Sequence, residues 1–415
     1  MPGLIVAAPA SGAGKTTVTL GLLRALRDAG HAVRGAKSGP DYIDGRFHEA
    51  ATGLPCPNLD AWAMPPATIR GLAAGPELLV VEGAMGLFDG APPAGRGAVA
   101  DLARLLALPV VLVVDAARMA QSVGPLVAGF AAHDPAVRVA GVILNRVGSA
   151  RHEGMLRAAS PLPVLGAVPR DEGLALPSRH LGLVGAGERA DLDAFLARAG
   201  ARMAERVDLD ALARLAGPLP DAPPPALAPP AGRIAVARDR AFAFLYPHLL
   251  DAWRRVGAEI AFFSPLADEP APPADLVLLP GGYPELHAGP IAAARRFLGS
   301  LRDRAVWGEC GGYMVMGDSL TDAAGRTHRM AGLLRLETSF AERRLLLGYR
   351  TVRAAAGPFR GRWAAHEFHY ATTLRAEGAP LWEAWDAEGA ALAPMGLRLG
   401  GAAGSFAHLI HPRAA

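Results

Sequence analysis

Lysine is almost missing from this chain. Of its 42 basic residues only Lys15 and Lys37 are lysines, and arginine supplies the rest. A compact ammonium and a planar guanidinium differ in charge density and hydrogen-bond geometry, so the two positions that keep the ammonium are candidates for a specific task. Cysteine is equally scarce. Cys56 and Cys310 lie far apart with no metal-ligand spacing, which argues against a disulfide framework and against a zinc site. No run reaches the about 18 apolar residues of a membrane span; stretches such as VVLVVDA are short and predict buried strands. The first residues lack the basic start and long apolar core of a secretory signal, so a cytoplasmic enzyme without membrane contact is expected. A net charge of +3, scattered along the chain, gives no basis for a nucleic-acid partner.

What is present is an alternating pattern. GLIVAAP predicts a strand and KTTVTLGLLRALRDAG a helix with a glycine stop; further buried strands follow at ELLVVEGAMG, PVVLVVDA and VAGVILNRV. Strand–helix alternation of this kind predicts an α/β fold with a doubly wound, mostly parallel sheet. Residues 217–232, GPLPDAPPPALAPPAG, cannot continue a helix or a central strand and predict a semi-rigid linker. Beyond them RIAVARD, EIAFFSP and DLVLLPGG restart the pattern as a second α/β domain. The expected division is 1–200 for the first domain, 201–232 for a helix and the proline-rich linker, and 233–415 for the second.

APASGAGKTT, residues 8–17, joins the first strand to the first helix and has the form of a phosphate-binding loop, with Pro9 where the first glycine usually stands. Gly12 and Gly14 let backbone N–H groups converge on phosphate oxygens at a helix start. Lys15 then reaches the outer phosphates, Thr16 holds Mg²⁺, and Thr17 completes the nucleotide contacts. Glu82 ends a hydrophobic strand where an acidic Mg²⁺ partner belongs. KSGPDYIDGRFH brings Lys37, Asp41, Tyr42, Asp44 and His48 together in what reads as a loop too polar for a buried turn. Asp41 is a candidate metal ligand beside Glu82, and Lys37 a candidate to steady phosphate charge. A solvated surface loop is the alternative reading of that stretch.

The second domain holds a different chemistry. WGECGGYMVMG places Cys310 at a sharp strand-to-helix turn before Gly311 and Gly312, which predicts an exposed thiol with a pKa lowered by the helix start. LLPGGYPE supplies a second glycine turn, so Gly282 and Gly311 are the candidate oxyanion donors. His408, in GSFAHLIHP, is the candidate base.

APASGAGKTT, KSGPDYIDGRFH, NLDAWAM, VEGAMGLFDG, LPSRHLGLV, ARDRAFAFLYPHLL, LLPGGYPELHA, GECGGYMVMG and HEFHY, in this order over nearly the whole chain, resemble the cobyrinic acid a,c-diamide synthase family. The resemblance implies a dethiobiotin-synthetase-like ATP domain followed by a class I glutamine amidotransferase domain. It implies a ligase that amidates the a and c acetate carboxylates of a corrin-ring precursor with ATP, Mg²⁺ and L-glutamine, in cobalamin biosynthesis. Cys310 is then the glutaminase nucleophile and His408 its activator, while Asp41, Tyr42, Asp44 and Glu82 fall in motifs used around substrate and metal. Related amidotransferases often carry a glutamate two residues after this histidine; here that residue is Ile410, and Glu367 and His411 stand as candidates for the third member. An Ala-, Arg- and Pro-rich composition suggests a GC-rich genome and favours the metal-free acid, hydrogenobyrinic acid, over cobyrinic acid. A synthase amidating another tetrapyrrole, such as nickel sirohydrochlorin, is the further alternative, and a homodimer is compatible with the resemblance. A partitioning ATPase is disfavoured, because its second loop lysine would fall near Ala10.

Overall fold

The computed structural model describes residues 2–176, 178, 179, 182, 183 and 185–414. Part of the LPSRHLGLV motif, including His180, therefore lies outside the described residues. The chain divides into two compact units, Met1–Pro225 and Ala226–Ala415.

The first unit is built on strands β1 (Pro2–Ala7), β2 (Val33–Ser38), β3 (Asn58–Leu59), β4 (Leu78–Glu82), β5 (Val110–Asp115), β6 (Val139–Val147) and β7 (Val164–Pro169). Their order across the sheet is β3-β2-β4-β1-β5-β6-β7, and all of these pairings are parallel. Both faces of such a sheet are covered by helices, which is why β4 and β5 are continuous runs of Leu and Val and not alternating ones. Helix α1 (Lys15–Asp28) follows β1 directly, α2 (Asp44–Thr52) follows β2, and α3 (Leu192–Arg206) packs along α1. Gly14 caps α1 at φ 85°, in the left-handed region that a residue with a Cβ enters at a cost. The proline-rich stretch begins as part of this sheet: Gly217–Pro218 pairs antiparallel with Gly3 and Pro2.

KSGPDYIDGRFH is not one loop. Lys37 is the penultimate residue of β2, Asp44 opens α2, and His48 lies on that helix. Nor is the stretch too polar to bury. Lys37, Asp44 and His48 are all buried, because their charges meet partners within the unit.

In the second unit a ten-stranded sheet runs through β8 (Arg233–Ala237), β9 (Glu259–Phe263), β10 (Leu276–Leu279), β11 (Val306–Glu309), β12 (Leu346–Ala354), β13 (Gly361–His369), β14 (Ala379–Trp385), β15 (Ala391–Leu399), β16 (Ala402–Ser405) and β17 (Ala407–Arg413). The order is β9-β8-β10-β11-β16-β15-β14-β12-β13-β17. Its first five members are parallel and the remainder antiparallel. A short helix α4 (Gly311–Val315) leaves the end of β11. Only Phe406 separates β16, inside the sheet, from β17 at its end, so the sheet curls back on itself. That curl carries the C-terminal segment to the end of β11. Phe242, Phe297, Leu279, Val315 and Leu336 form the core beneath α4.

Candidate active sites

In a parallel sheet the strand ends that lead into helices share one edge, and the crevice where the order reverses beside β1 is the usual ligand site. Register does the rest in the first unit. Lys37 pairs with Glu82 across β2 and β4, and Glu82 pairs with Val6 across β4 and β1, directly beneath the loop that opens α1.

The resulting cluster is dense. Lys37 Nζ donates to Asp44 Oδ2 at 2.5 Å and to Glu82 Oε1 at 2.8 Å, with Asp41 Oδ2 at 3.8 Å. Thr16 Oγ1 lies 2.6 Å from the same Glu82 oxygen and 3.5 Å from Asp44 Oδ2. The second Glu82 oxygen meets His48 Nε2 at 2.6 Å, with both side chains fully buried. Burial would raise the Glu82 carboxyl, but Lys37 and then His48 outweigh it and hold it well below the carboxylate range. Asp44 goes the other way, up to about 7, because burial and Asp41 outweigh Lys37. Burial opposes the His48 imidazolium, yet Cys56 and Glu82 lift it to about 10. Lys15 Nζ donates to the Met85 carbonyl, and burial together with Lys37 lowers it to about 8.

Lys15, Thr16, Lys37, Asp41, Asp44 and Glu82 face one cavity of about 970 Å³, lined also by Gly12, Gly14, Thr17, Arg118, Asn145 and Arg170, while His48 and Tyr42 lie outside it. Thr17 Oγ1 donates to the Leu174 carbonyl at 3.3 Å. Asp41 uses Oδ1 to accept from Ile43 and Asp44 N–H, an Asx turn that starts α2, and keeps Oδ2 toward Lys37. Tyr42 is buried outside the lining. Asn145, which no motif singled out, donates to the Ala13 carbonyl at 2.9 Å and braces the loop from the end of β6. The sequence reading also missed His48 as a partner of Glu82; the packing of α2 on β2, with the His48 ring against Gly35, brings them together.

The second site sits where β10 and β11 end. Cys310 has φ 47° and ψ −106°, a strained conformation between strand and helix. Its N–H donates to the Ser405 carbonyl at 2.8 Å, which fixes the turn against β16. The turn needs glycine beside it, since a Cβ on Gly312 would stand 1.9 Å from the Leu279 carbonyl. A Cβ built on Gly281 would meet His408 Cε1 at 2.3 Å and Cys310 Cβ at 3.2 Å, so imidazole and thiol flank the same glycine. The same construction on Gly311 meets Gly282 N at 3.1 Å, which places the two proposed oxyanion donors side by side.

The expectation of an exposed thiol with a lowered pKa is not met. Cys310 is 1% exposed, and burial, then Glu285, push its thiol well up, against one N–H from Gly311. Helix α4 has five residues, too few for its dipole to offset that desolvation. His408 is buried as well, and burial with His366 and His369 lowers it to about 3. The two candidates for a third member are engaged elsewhere. Glu367 binds Arg350 at 2.8 Å and His369 at 3.1 Å, and His411 Nδ1 donates to the Pro412 carbonyl at 2.7 Å. A carboxylate that does lie near His408 is Glu309, whose Oε2 is 3.9 Å from His408 Nδ1.

Comparison with known proteins agrees with both halves. Residues 4–184 match the CobQ/CobB/MinD/ParA nucleotide binding domain, and residues 233–414 the CobB/CobQ-like glutamine amidotransferase domain. Over 430 residues the chain is 55% identical to a hydrogenobyrinate a,c-diamide synthase of Brucella anthropi, covering 99% of this chain and 98% of that one. Enzymes of the same name from Rhizobium meliloti and Rhodobacter capsulatus are each 54% identical, covering 99% and 98% of this chain and the same shares of theirs. With a phosphate loop over an acidic cluster in one unit and a cysteine elbow beside a histidine in the other, the chain belongs to the hydrogenobyrinate a,c-diamide synthase family.

Proposed function

We propose that this protein amidates the a and c acetate carboxylates of hydrogenobyrinic acid, using ATP in the first unit and glutamine in the second. A carboxylate is a poor acyl donor because it would have to expel an oxide. Transfer of the γ-phosphate to it gives an acyl phosphate, from which ammonia displaces phosphate to form the amide. The loop N–H groups after Gly12 and Gly14 bind the phosphates, and Lys15 follows the γ-phosphate as charge moves onto its oxygens. Arg118 and Arg170, on the cavity wall, offer guanidinium forks to further anionic groups. Asp41, Asp44 and Tyr42 belong to the substrate side of this reading, Tyr42 by supporting the turn and not by contact.

Thr16 Oγ1 lies 2.6 Å from a Glu82 oxygen and 3.5 Å from Asp44 Oδ2, and with Asp41 on the same cavity wall these hard oxygen donors fit Mg²⁺. Bound there with ATP, Mg²⁺ supplies charge neutralisation to the phosphates. Lys37 shares those carboxylates and holds Glu82 in its ionised form against burial.

In the second unit the Cys310 thiol gives its proton to His408 Nε2 and attacks the glutamine carboxamide carbon. The oxyanion lies toward the N–H groups of Gly282 and Gly311. His408 returns the proton to the leaving ammonia, and water, deprotonated by His408, then cleaves the thioester to give glutamate. The observation that carries this reading is the strained Cys310 turn with His408 against the same glycine, in one chain with the phosphate loop.

The test is turnover. Purified protein is given hydrogenobyrinic acid or cobyrinic acid with ATP, Mg²⁺ and glutamine, and kcat/KM is compared. A clear preference for the cobalt-containing acid overturns the choice of substrate. Cys310→Ser should abolish glutamine-supported amidation while high ammonium chloride still supports it, and His408→Ala should do the same less completely. Full glutamine-supported activity in Cys310→Ser overturns the nucleophile.

A further inference from the structure

His408 lacks the glutamate two residues downstream that commonly orients such a histidine, because Ile410 stands there. A histidine acting as base needs its other ring nitrogen held, otherwise the wrong tautomer faces the nucleophile. We propose that Glu309, the residue immediately before the nucleophile, is the positioning residue for His408, accepting from His408 Nδ1–H and stabilising the imidazolium. The inference rests on Cys310 and His408 being the glutaminase pair.

Three observations support it. Glu309 Oε2 stands 3.9 Å from His408 Nδ1, an ion-pair distance that shortens by about 1 Å when the hydrogen bond forms. Its other oxygen, Oε1, is already held by Trp307 Nε1 at 3.3 Å and Leu409 N at 3.4 Å, so the carboxylate is anchored with Oε2 facing the ring. Leu409 directly follows His408, so one carboxylate ties together the segments that carry nucleophile and base.

The proton path balances. The Cys310 S–H proton moves to His408 Nε2 as the S–C bond forms, while Nδ1–H stays on the ring and donates to Glu309. The same Nε2 proton leaves with ammonia. Burial raises the Glu309 carboxyl to about 8, against the two N–H donors. Its ionised form, which supports the imidazolium, therefore grows as pH rises through that value. The titratable groups around the pair are His366, opposite His408 on β13, His369 on the same strand, and Glu285 and Glu367, which together with Glu309 act on Cys310.

Glu309→Gln keeps the shape and an acceptor oxygen but removes the charge. We expect glutamine-dependent kcat to fall by about a hundredfold with KM for glutamine within about threefold. Ammonium-supported synthesis, which bypasses the glutaminase, should persist, and the limb of the pH profile that rises through about 8 should disappear. Glu309→Asp, which keeps a carboxylate farther from the ring, should retain a displaced limb and serves if the glutamine variant does not fold. An unchanged pH limb in both variants, glutamine turnover within twofold of native, or parallel loss of ammonium-supported activity in both would overturn the role. Cys310→Ser, measured alongside, separates the two ideas: if it retains glutamine turnover the site reading itself fails, whatever Glu309 does.

Discussion

Lys37→Met is the most informative single perturbation of the first unit. The substitution keeps a long unbranched side chain on β2 but removes the cation that lies 2.5 Å from Asp44 and 2.8 Å from Glu82. Two buried carboxylates are then left with His48 and the Lys15 ammonium across the cavity to answer them. Breaking a buried ion pair by deleting one partner costs about 3–5 kcal/mol, since the remaining charge is left uncompensated. A unit the size of Met1–Pro225 has an unfolding entropy of about 0.5 kcal/mol/K, so the melting temperature of this unit should fall by about 6–10 °C at pH 7.5. The pH dependence has a definite sign. In the native protein Glu82 is held below its unfolded value, so its contribution is full above that value and lost as pH falls through the folded one. Without Lys37, burial raises the carboxyls above their unfolded values instead. The penalty is then present at neutral pH and shrinks as pH falls toward about 4 and the groups protonate. Calorimetry of both proteins from pH 5 to pH 8 measures this directly. A drop below about 2 °C at pH 7.5, or one independent of pH, would refute the view that Lys37 neutralises this cluster.

Three further outcomes follow from the same geometry. Lys15→Arg keeps the charge but not its shape; loss of ~3 kcal/mol of transition-state contact lowers ATP-dependent turnover about a hundredfold, while glutaminase activity measured alone survives. Near-normal synthesis by that variant would remove Lys15 from the phosphates. Because Lys15 in the free protein is lowered to about 8 and bound phosphate favours its charged form, ATP affinity should weaken above pH 8, by up to about tenfold per pH unit; flat titration calorimetry between pH 7 and 9.5 would contradict this. Gly312→Ala puts a methyl carbon 1.9 Å from the Leu279 carbonyl, so α4 must shift at a cost of at least about 1–3 kcal/mol, and glutamine-dependent activity should be lost with a lower unfolding temperature. A variant that melts within 1 °C of the native protein and still uses glutamine would show that the turn has slack.

Local sequence was enough wherever local chemistry acts within a few residues. The phosphate loop needs glycines, a lysine and a threonine between a strand and a helix, and all of these are consecutive in APASGAGKTT. Buried parallel strands announce themselves as unbroken apolar runs, so β1, β4, β5 and β6 were legible, as was the turn at Cys310. The antiparallel half of the second unit was not. Its strands β12, β14 and β15 are partly exposed and mix Arg and Glu with apolar residues, a pattern that identifies a strand only when the partner strand is known.

Partnership was decided by tertiary structure alone. Asp44 and Lys37 are seven residues apart and read as a polar loop, yet they are buried because parallel register sets Glu82 beside Lys37 and the start of α2 delivers Asp44 to both. Cys310 read as an exposed, acidified thiol, but the curl of the sheet covers it with His408 and Phe368, and desolvation outweighs a five-residue helix. The Glu309 carboxylate, 3.9 Å from His408 Nδ1, comes from 99 positions earlier in the chain, adjacent in sequence to the nucleophile. Sequence determines which side chains are available and where the chain turns. Which charges neutralise one another depends on strand order and register, because Coulomb and desolvation energies depend on distances in space that no linear pattern encodes.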